Sequence, residues 1–205
     1  MITLLIYDRD DVASPSATTR FGGVPSVPGT GFKWPTCKSC SGNMQFVGQI
    51  HADAPDVLHL IFMCQNDPGC CNEWDANEGG NAVICVRSTS LTLADVPADG
   101  VTLRPKCQLA KTEIVAGDDY DAARDAWAEE HTGHRRPIMG QLGSVPSWIQ
   151  GDETPTCDFC EKPMRFVAQI EEGFDVESSA NFGGGCAYLF RCDCERLPGK
   201  FLWQC

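Results

Sequence analysis

Residues 35–50, PTCKSCSGNMQFVGQI, return at residues 155–170 as PTCDFCEKPMRFVAQI. Each stretch opens Pro-Thr-Cys-x-x-Cys and continues with Met, Phe, Val, Gln and Ile in the same order. These are Met44, Phe46, Val47, Gln49 and Ile50 in the first copy, and Met164, Phe166, Val167, Gln169 and Ile170 in the second. Side chains alternate along a strand, so Met44, Phe46, Gly48 and Ile50 are expected on one face of a half-buried strand. Met164, Phe166, Ala168 and Ile170 are expected on the same face of its counterpart.

The likeness extends outward from the CxxC. Phe21-Gly22-Gly23-Val24-Pro25-Ser26 precedes the first, and Leu142-Gly143-Ser144-Val145-Pro146-Ser147 precedes the second. A second apolar strand ending in cysteine follows in each copy, at residues 58–64 (LHLIFMC) and 187–192 (AYLFRC). A third follows at residues 81–86 (NAVICV) and 201–205 (FLWQC). The opening MITLLIYDRD is a further strand and lacks the basic start of a secretion signal. Between the copies, residues 118–131 (DDYDAARDAWAEEH) begin with Asp, contain no Gly or Pro, and predict a helix ended by Gly133. Tyr120, Ala123 and Trp127 share one of its faces. Residues 94–106, rich in Pro, Asp and Gly, read as a linker.

These patterns predict a β-rich α+β protein built as a tandem duplication. Its zinc-stapled antiparallel sheet unit is repeated around a pseudo-twofold, with one bridging helix. Residues 1–93 form the first unit, 94–137 the linker and helix, and 138–205 the second unit.

Thirteen cysteines without a secretion signal suggest a reducing, cytoplasmic setting, where clustered cysteines bind metal and disulfides do not persist. A CxxC turn presents two sulfurs to one side, and a second pair brought up by folding completes a tetrahedral zinc site. Cys37 and Cys40 are expected to meet Cys64 and Cys70, with Cys71 the immediate rival of Cys70. Cys157 and Cys160 are expected to meet Cys192 and Cys194. If Pro198-Gly199 is the hairpin turn, counting back pairs Cys192 with Cys205, which makes Cys205 an alternative ligand. The expectation is two structural zinc ions, each closed by four thiolates. A redox dithiol normally stands alone at a helix start, whereas each CxxC here precedes a strand and has cysteine partners.

The chain carries 28 acidic and 16 basic residues, a formal charge of −12. Two tetrathiolate zinc sites, each about −2, would take this to roughly −16. Such a field repels nucleic acid and favours a basic protein partner. No apolar run approaches the roughly 18 residues of a membrane helix. An enzyme working in a groove between the units is the alternative, with Gln49, Gln169, His131 and His134 as its candidate groups. The plainer reading gives both glutamines to neighbouring loop backbone and both histidines to a polar helix end.

Residues 20–35 (RFGGVPSVPGTGFKWP), followed by MQFVGQI, resemble the signature of the bacterial YwqG-like family, a Gly-Gly-x-Pro loop, a Trp-Pro and a strand ending in Gln-Ile. Residues 181–190 (NFGGGCAYLF) are similar to that family's later Phe-Gly-x-Gly strand entry. The paired cysteines depart from many of its members. They resemble instead the programmed-cell-death-protein-2 family, in which a Gly-Gly-x-Pro loop, a CxxC, an apolar strand and a Phe-x-Cys strand recur. Here those are residues 21–25, 37–40, 44–50 and 62–64. The second resemblance implies a zinc-bearing escort for a nascent ribosomal protein. The first implies no settled activity, and neither transfers a catalytic residue.

Overall fold

The computed structural model describes residues 1–52 and 57–205. In chain order its strands are β1 (Ile2–Asp10), β2 (Arg20–Gly22), β3 (Ser26–Pro28), β4 (Gln45–His51), β5 (Val57–Met63) and β6 (Asn81–Arg87). Next come β7 (Leu91–Leu93), β8 (Cys107–Val115), the helix α1 (Tyr120–His131), β9 (Ile138–Leu142), β10 (Arg165–Glu171), β11 (Cys186–Arg191) and β12 (Gly199–Gln204). Ten strands close into a barrel in the order β1-β8-β2-β4-β5-β6-β12-β11-β10-β9, and β3 pairs with β7 outside it.

That order reads the same from either half. β2-β4-β5-β6 in the first copy matches β9-β10-β11-β12 in the second, and β6 meets β12. Between the other ends lie β1 and β8. β1 pairs with β9 of the second copy, and β8 pairs with β2 of the first. Each copy therefore lends its leading strand to the other, as a pseudo-twofold through the β1/β8 and β6/β12 contacts requires. Matching registers support this: Arg20↔Gln49 and Phe21↔Gly48 in one half, Gln141↔Gln169 and Leu142↔Ala168 in the other. β8, which falls in the stretch read from sequence as linker and helix, is thus a full barrel strand. Its exposed Lys111, Thr112 and Ile114 hide the apolar alternation that would have marked it.

The expected single apolar face does not hold along β4 and β10. Both carry a β-bulge at the same repeat position. Phe46 faces Phe62 and Gly48 faces Ile61, so Val47 is the extra residue. Phe166 faces Phe190 and Ala168 faces Leu189, so Val167 is the extra residue in the second copy. A bulge puts two residues against one and shifts the alternation beyond it. Val47 and Ile50 consequently join Val167, Ala168 and Ile170 in the central cluster with Leu5, Phe21, Ile61, Leu189 and Phe201. Met44 and Phe46 pack in a separate cluster with Phe62, Trp34, Cys37 and Cys64. Met164 and Phe166 do likewise with Phe190, Trp148, Cys157 and Cys192. The strands are buried on both faces rather than half-buried.

The helix covers a third face. Ile2, Leu4 and Ile6 of β1 pack with Tyr120, Ala123, Trp127 and Ile138. Asp119 caps its start, accepting from the Ala122 N–H at 2.8 Å, so the helix proper begins two residues after Asp118. Gly133 (φ 71°) closes its end with an N–H to the Ala128 carbonyl at 2.6 Å. At the β6/β12 seam the recorded register is Gly199↔Val83. A Cβ at Gly199 would stand 2.3 Å from a Val83 methyl, so only glycine permits this approach.

Candidate metal centres

Each CxxC sits in the same turn. The Cys37 N–H donates to the Gly42 carbonyl at 2.9 Å, and the Ser41 N–H returns to the Cys37 carbonyl at 2.8 Å. In the second copy Cys157 donates to Lys162 and Glu161 to Cys157, both at 2.9 Å. Ser41 and Glu161 have φ of 60° and 59°, the left-handed residue that bends each turn back on itself. A bridge between Thr36 and Asn43, repeated between Thr156 and Pro163, then leads into β4 and β10.

The second pair of each centre is supplied where β5 and β11 end. Cys64 is anchored by its N–H to the Gly80 carbonyl at 2.8 Å, and Cys192 by its N–H to the Pro198 carbonyl at 2.9 Å. Two clusters result, Cys37, Cys40, Cys64 and Cys71, and Cys157, Cys160, Cys192 and Cys194. Within each cluster the sulfurs all lie within 4.8 Å of one another. Cys40 and Cys64 are 3.7 Å apart, Cys157 and Cys194 3.9 Å, and Cys160 and Cys192 3.4 Å. A disulfide would need about 2.05 Å. Four sulfurs at about 2.3 Å from a tetrahedral metal stand about 3.8 Å apart, and the observed spacings fit that arrangement.

Cys70, the first choice from spacing, lies exposed outside the cluster, and Cys71 takes its place. Spacings of five and six residues both suit a loop, so the interval alone cannot choose between them. Glu73 decides it. Its buried carboxylate accepts the N–H groups of Gly69 and Cys71, drawing the chain into a knot that turns Cys71 inward. Cys205 is at the opposite end of the β11/β12 hairpin from Cys192. Arg191 pairs with Gly199 and Cys186 with Gln204, while the Cys205 sulfur stands near Gly183. The turn lies earlier in the chain than the count from Pro198-Gly199 assumes: Cys192 itself meets Pro198, so residues 193–197 make the turn.

The thiols within each centre have diverging affinities for protons. The Gly42 N–H leads the influences that hold Cys40 down to about 7. At Cys157 burial raises the pKa, but the N–H groups of Phe159 and Cys160 and the neighbouring thiols bring it to about 7. Burial pushes Cys64 and Cys71 up. Cys192 accepts the Cys194 N–H, which lowers it, yet burial and the adjacent thiols push it up to about 12. Such sites lose the first protons readily and resist the rest, and a divalent cation is what allows four thiolates to coexist. Asn66 adds support, its amide donating toward the Cys64 sulfur at 3.5 Å and the Cys40 sulfur at 3.8 Å. An all-sulfur, four-donor set suits a soft or borderline metal in a closed site.

The remaining candidates from sequence serve local structure. Gln49 accepts the Ser26 N–H at 3.0 Å and donates to the Ser16 and Thr18 carbonyls, both at 2.9 Å. Gln169 accepts the equivalent Ser147 N–H at 2.9 Å and the Gln141 amide at 3.1 Å. His131 stacks on Trp127, its ring 4.5 Å away, and pairs Nδ1 with the Trp127 carbonyl at 2.9 Å. His134 is exposed. No helix among the described residues is long and apolar enough to cross a membrane.

No family model matches the chain. A stretch of 54 residues, 26% of the chain, is 37% identical to the uncharacterized protein YpfL of Salmonella typhimurium. It spans 12% of that protein's length. The YwqG-like resemblance therefore stays a resemblance, while the CxxC pattern finds its counterpart in the two cysteine clusters.

Proposed function

We propose that this protein is a zinc-stabilised protein-binding module that docks a basic segment of its partner. Both metals are zinc, and both are structural, because each cluster supplies four sulfurs and a four-coordinate zinc so held has no position for substrate. The reading rests chiefly on a cleft of about 630 Å³ beside the β6/β12 seam. Trp74 and Asp75, from the loop beyond Cys71, form one wall, and Glu153, Asp158 and Glu161, around the Cys157 turn, form the other. Among the described residues Lys200 is the one cation lining it, and its ammonium is already held by Asn77 at 2.6 Å and Asp158 at 2.7 Å. Carboxylates beside a partly exposed indole suit lysine or arginine side chains, by charge and by cation–π contact. The net charge of −12 favours the same partners at longer range.

Titration of the zinc-loaded protein with a lysine- and arginine-rich peptide tests the reading. Binding should weaken at least tenfold in Trp74→Ala and in Glu153→Gln/Glu161→Gln, and should fall as salt rises. Equal affinity for an acidic peptide of the same length, or no loss in those variants, would remove the basis for it.

A further inference from the structure

A second cavity, of about 480 Å³, has the opposite character. It lies at the barrel end where β8 and β9 begin and β10 stops, bounded by the loop from Glu172 to Gly185. Four arginines line it in a chain whose charge is strongly negative: Arg104, Arg124, Arg135 and Arg136. Two of them are neutralised nearby. Arg124 pairs with Asp121 and with Glu171 at 3.0 Å, and Arg135 with Asp121 and Asp125. The carboxylates in the lining are likewise engaged. Glu171 holds Arg124 and Tyr120, and Glu172 holds Ser179 and the Gly184 N–H.

Arg104 is different. It is 7% exposed, and no carboxylate forms an ion pair with it among the described residues. Its Nη1 donates to the carbonyl of the bulge residue Val47 at 3.2 Å, and its Nε has no acceptor. Burial presses its pKa down to about 10, with Asp175 only partly offsetting this, so it remains a cation at neutral pH. Gln108 lines the same cavity; it is 2% exposed, and its amide nitrogen also has no acceptor. A buried guanidinium without a counter-charge is costly, and buried donors are rarely left unpaired. Phe21, Met139, Ile138 and Phe174 supply the apolar remainder of the wall.

From these groups we infer that the cavity binds a small organic carboxylate with an apolar body, its head group on Arg104 and Gln108. A planar guanidinium and an amide lining one cavity are the donors that a carboxylate's two oxygens accept. A cavity of this volume, part apolar and part cationic, is of the size that holds a small molecule. Arg136, exposed at the rim, gives the anion its approach. This site is separate from the proposed docking cleft, and neither depends on the other.

The test uses zinc-loaded protein labelled with ¹⁵N-arginine and titrated with benzoate, octanoate and inorganic phosphate at millimolar concentration against chloride. The Arg104 Nε–H signal should move with benzoate or octanoate and saturate. Arg104→Met and Gln108→Leu should each weaken binding at least tenfold while leaving zinc content unchanged. The inference is overturned if neither carboxylate moves that signal, if phosphate alone does, or if both folded variants bind as the wild type does. Because the signal is read in the unaltered protein, the test survives a variant that does not fold.

Discussion

The two halves share a turn, a bulge, a glutamine and four sulfurs, but they finish their candidate metal centres differently. In the first, Cys64 and Cys71 bracket a seven-residue step stiffened by Glu73 and Asn66, and Cys40 is exposed. In the second, Cys192 and Cys194 are two apart, and no member is fully exposed. The bulges differ in the same sense. The Val167 carbonyl accepts the Gly143 N–H at 2.8 Å, whereas the Val47 carbonyl accepts the side chain of Arg104. One half closes on its own backbone. The other recruits a side chain from a distant segment, Arg104, which also lines the carboxylate cavity inferred above.

The largest effect that could break the comparison comes from the proposed zinc ions. Zinc-finger peptides gain on the order of 10 kcal/mol from such a site, so Cys64→Ser or Cys192→Ser should each cost one zinc and much of the cooperative melting transition. Challenge with a chelator should release zinc in two phases, the first centre emptying faster because its loop is longer and Cys40 is open to solvent. Cys71→Ser should lose one zinc by elemental analysis and Cys70→Ser none. Equal release rates, or a zinc lost with Cys70, would erase the proposed asymmetry.

A smaller effect compares the paired glutamines. Gln49→Leu strands the Ser26 N–H and two carbonyls, and should cost about 2–3 kcal/mol in chemical denaturation. Gln169→Leu strands the Ser147 N–H and loses side-chain partners that can turn to each other, and should cost about 1–2 kcal/mol.

The smallest concerns the loop between β10 and β11. The Ser178 N–H first, and then Lys106, hold Asp175 down to about 2. Its folded pKa is below its unfolded one, so its contribution is present above about pH 4 and is lost as pH falls through 2. Asp175→Asn should lower Tm at pH 7 by no more than about 2 °C, as befits an exposed pair, and the difference from wild type should vanish toward pH 2. A difference that persists at pH 2 would assign the effect to something other than the charge.

Much of the architecture was legible in the linear chain. The positions of β1, β4, β5, β6, β10, β11 and β12, the helix with its Tyr120–Trp127 face, both CxxC turns and seven of the eight clustered cysteines follow from local spacing, since turns, alternation and capping act over a few residues. Glu73, the signal that selects Cys71, stands two residues beyond it, but its role appears only once its carboxylate is buried under the loop. The bulges had no signature, because an extra residue shows itself only against a partner strand. Arg104 and Gln108 looked like ordinary polar residues of a linker and an unread strand. Their importance comes from what folding denies them.

The amino-acid order by itself determined the repeated unit, its sulfur pairs and its acidity, because each is written in neighbouring residues or in a simple count. Only the tertiary structure decided that the leading strands cross between halves, that Cys71 rather than Cys70 faces the centre, and that an unpaired guanidinium lines a cavity. Those outcomes depend on which distant segments exclude water from one another, and free energy of that kind is a property of the closed barrel rather than of any stretch within it.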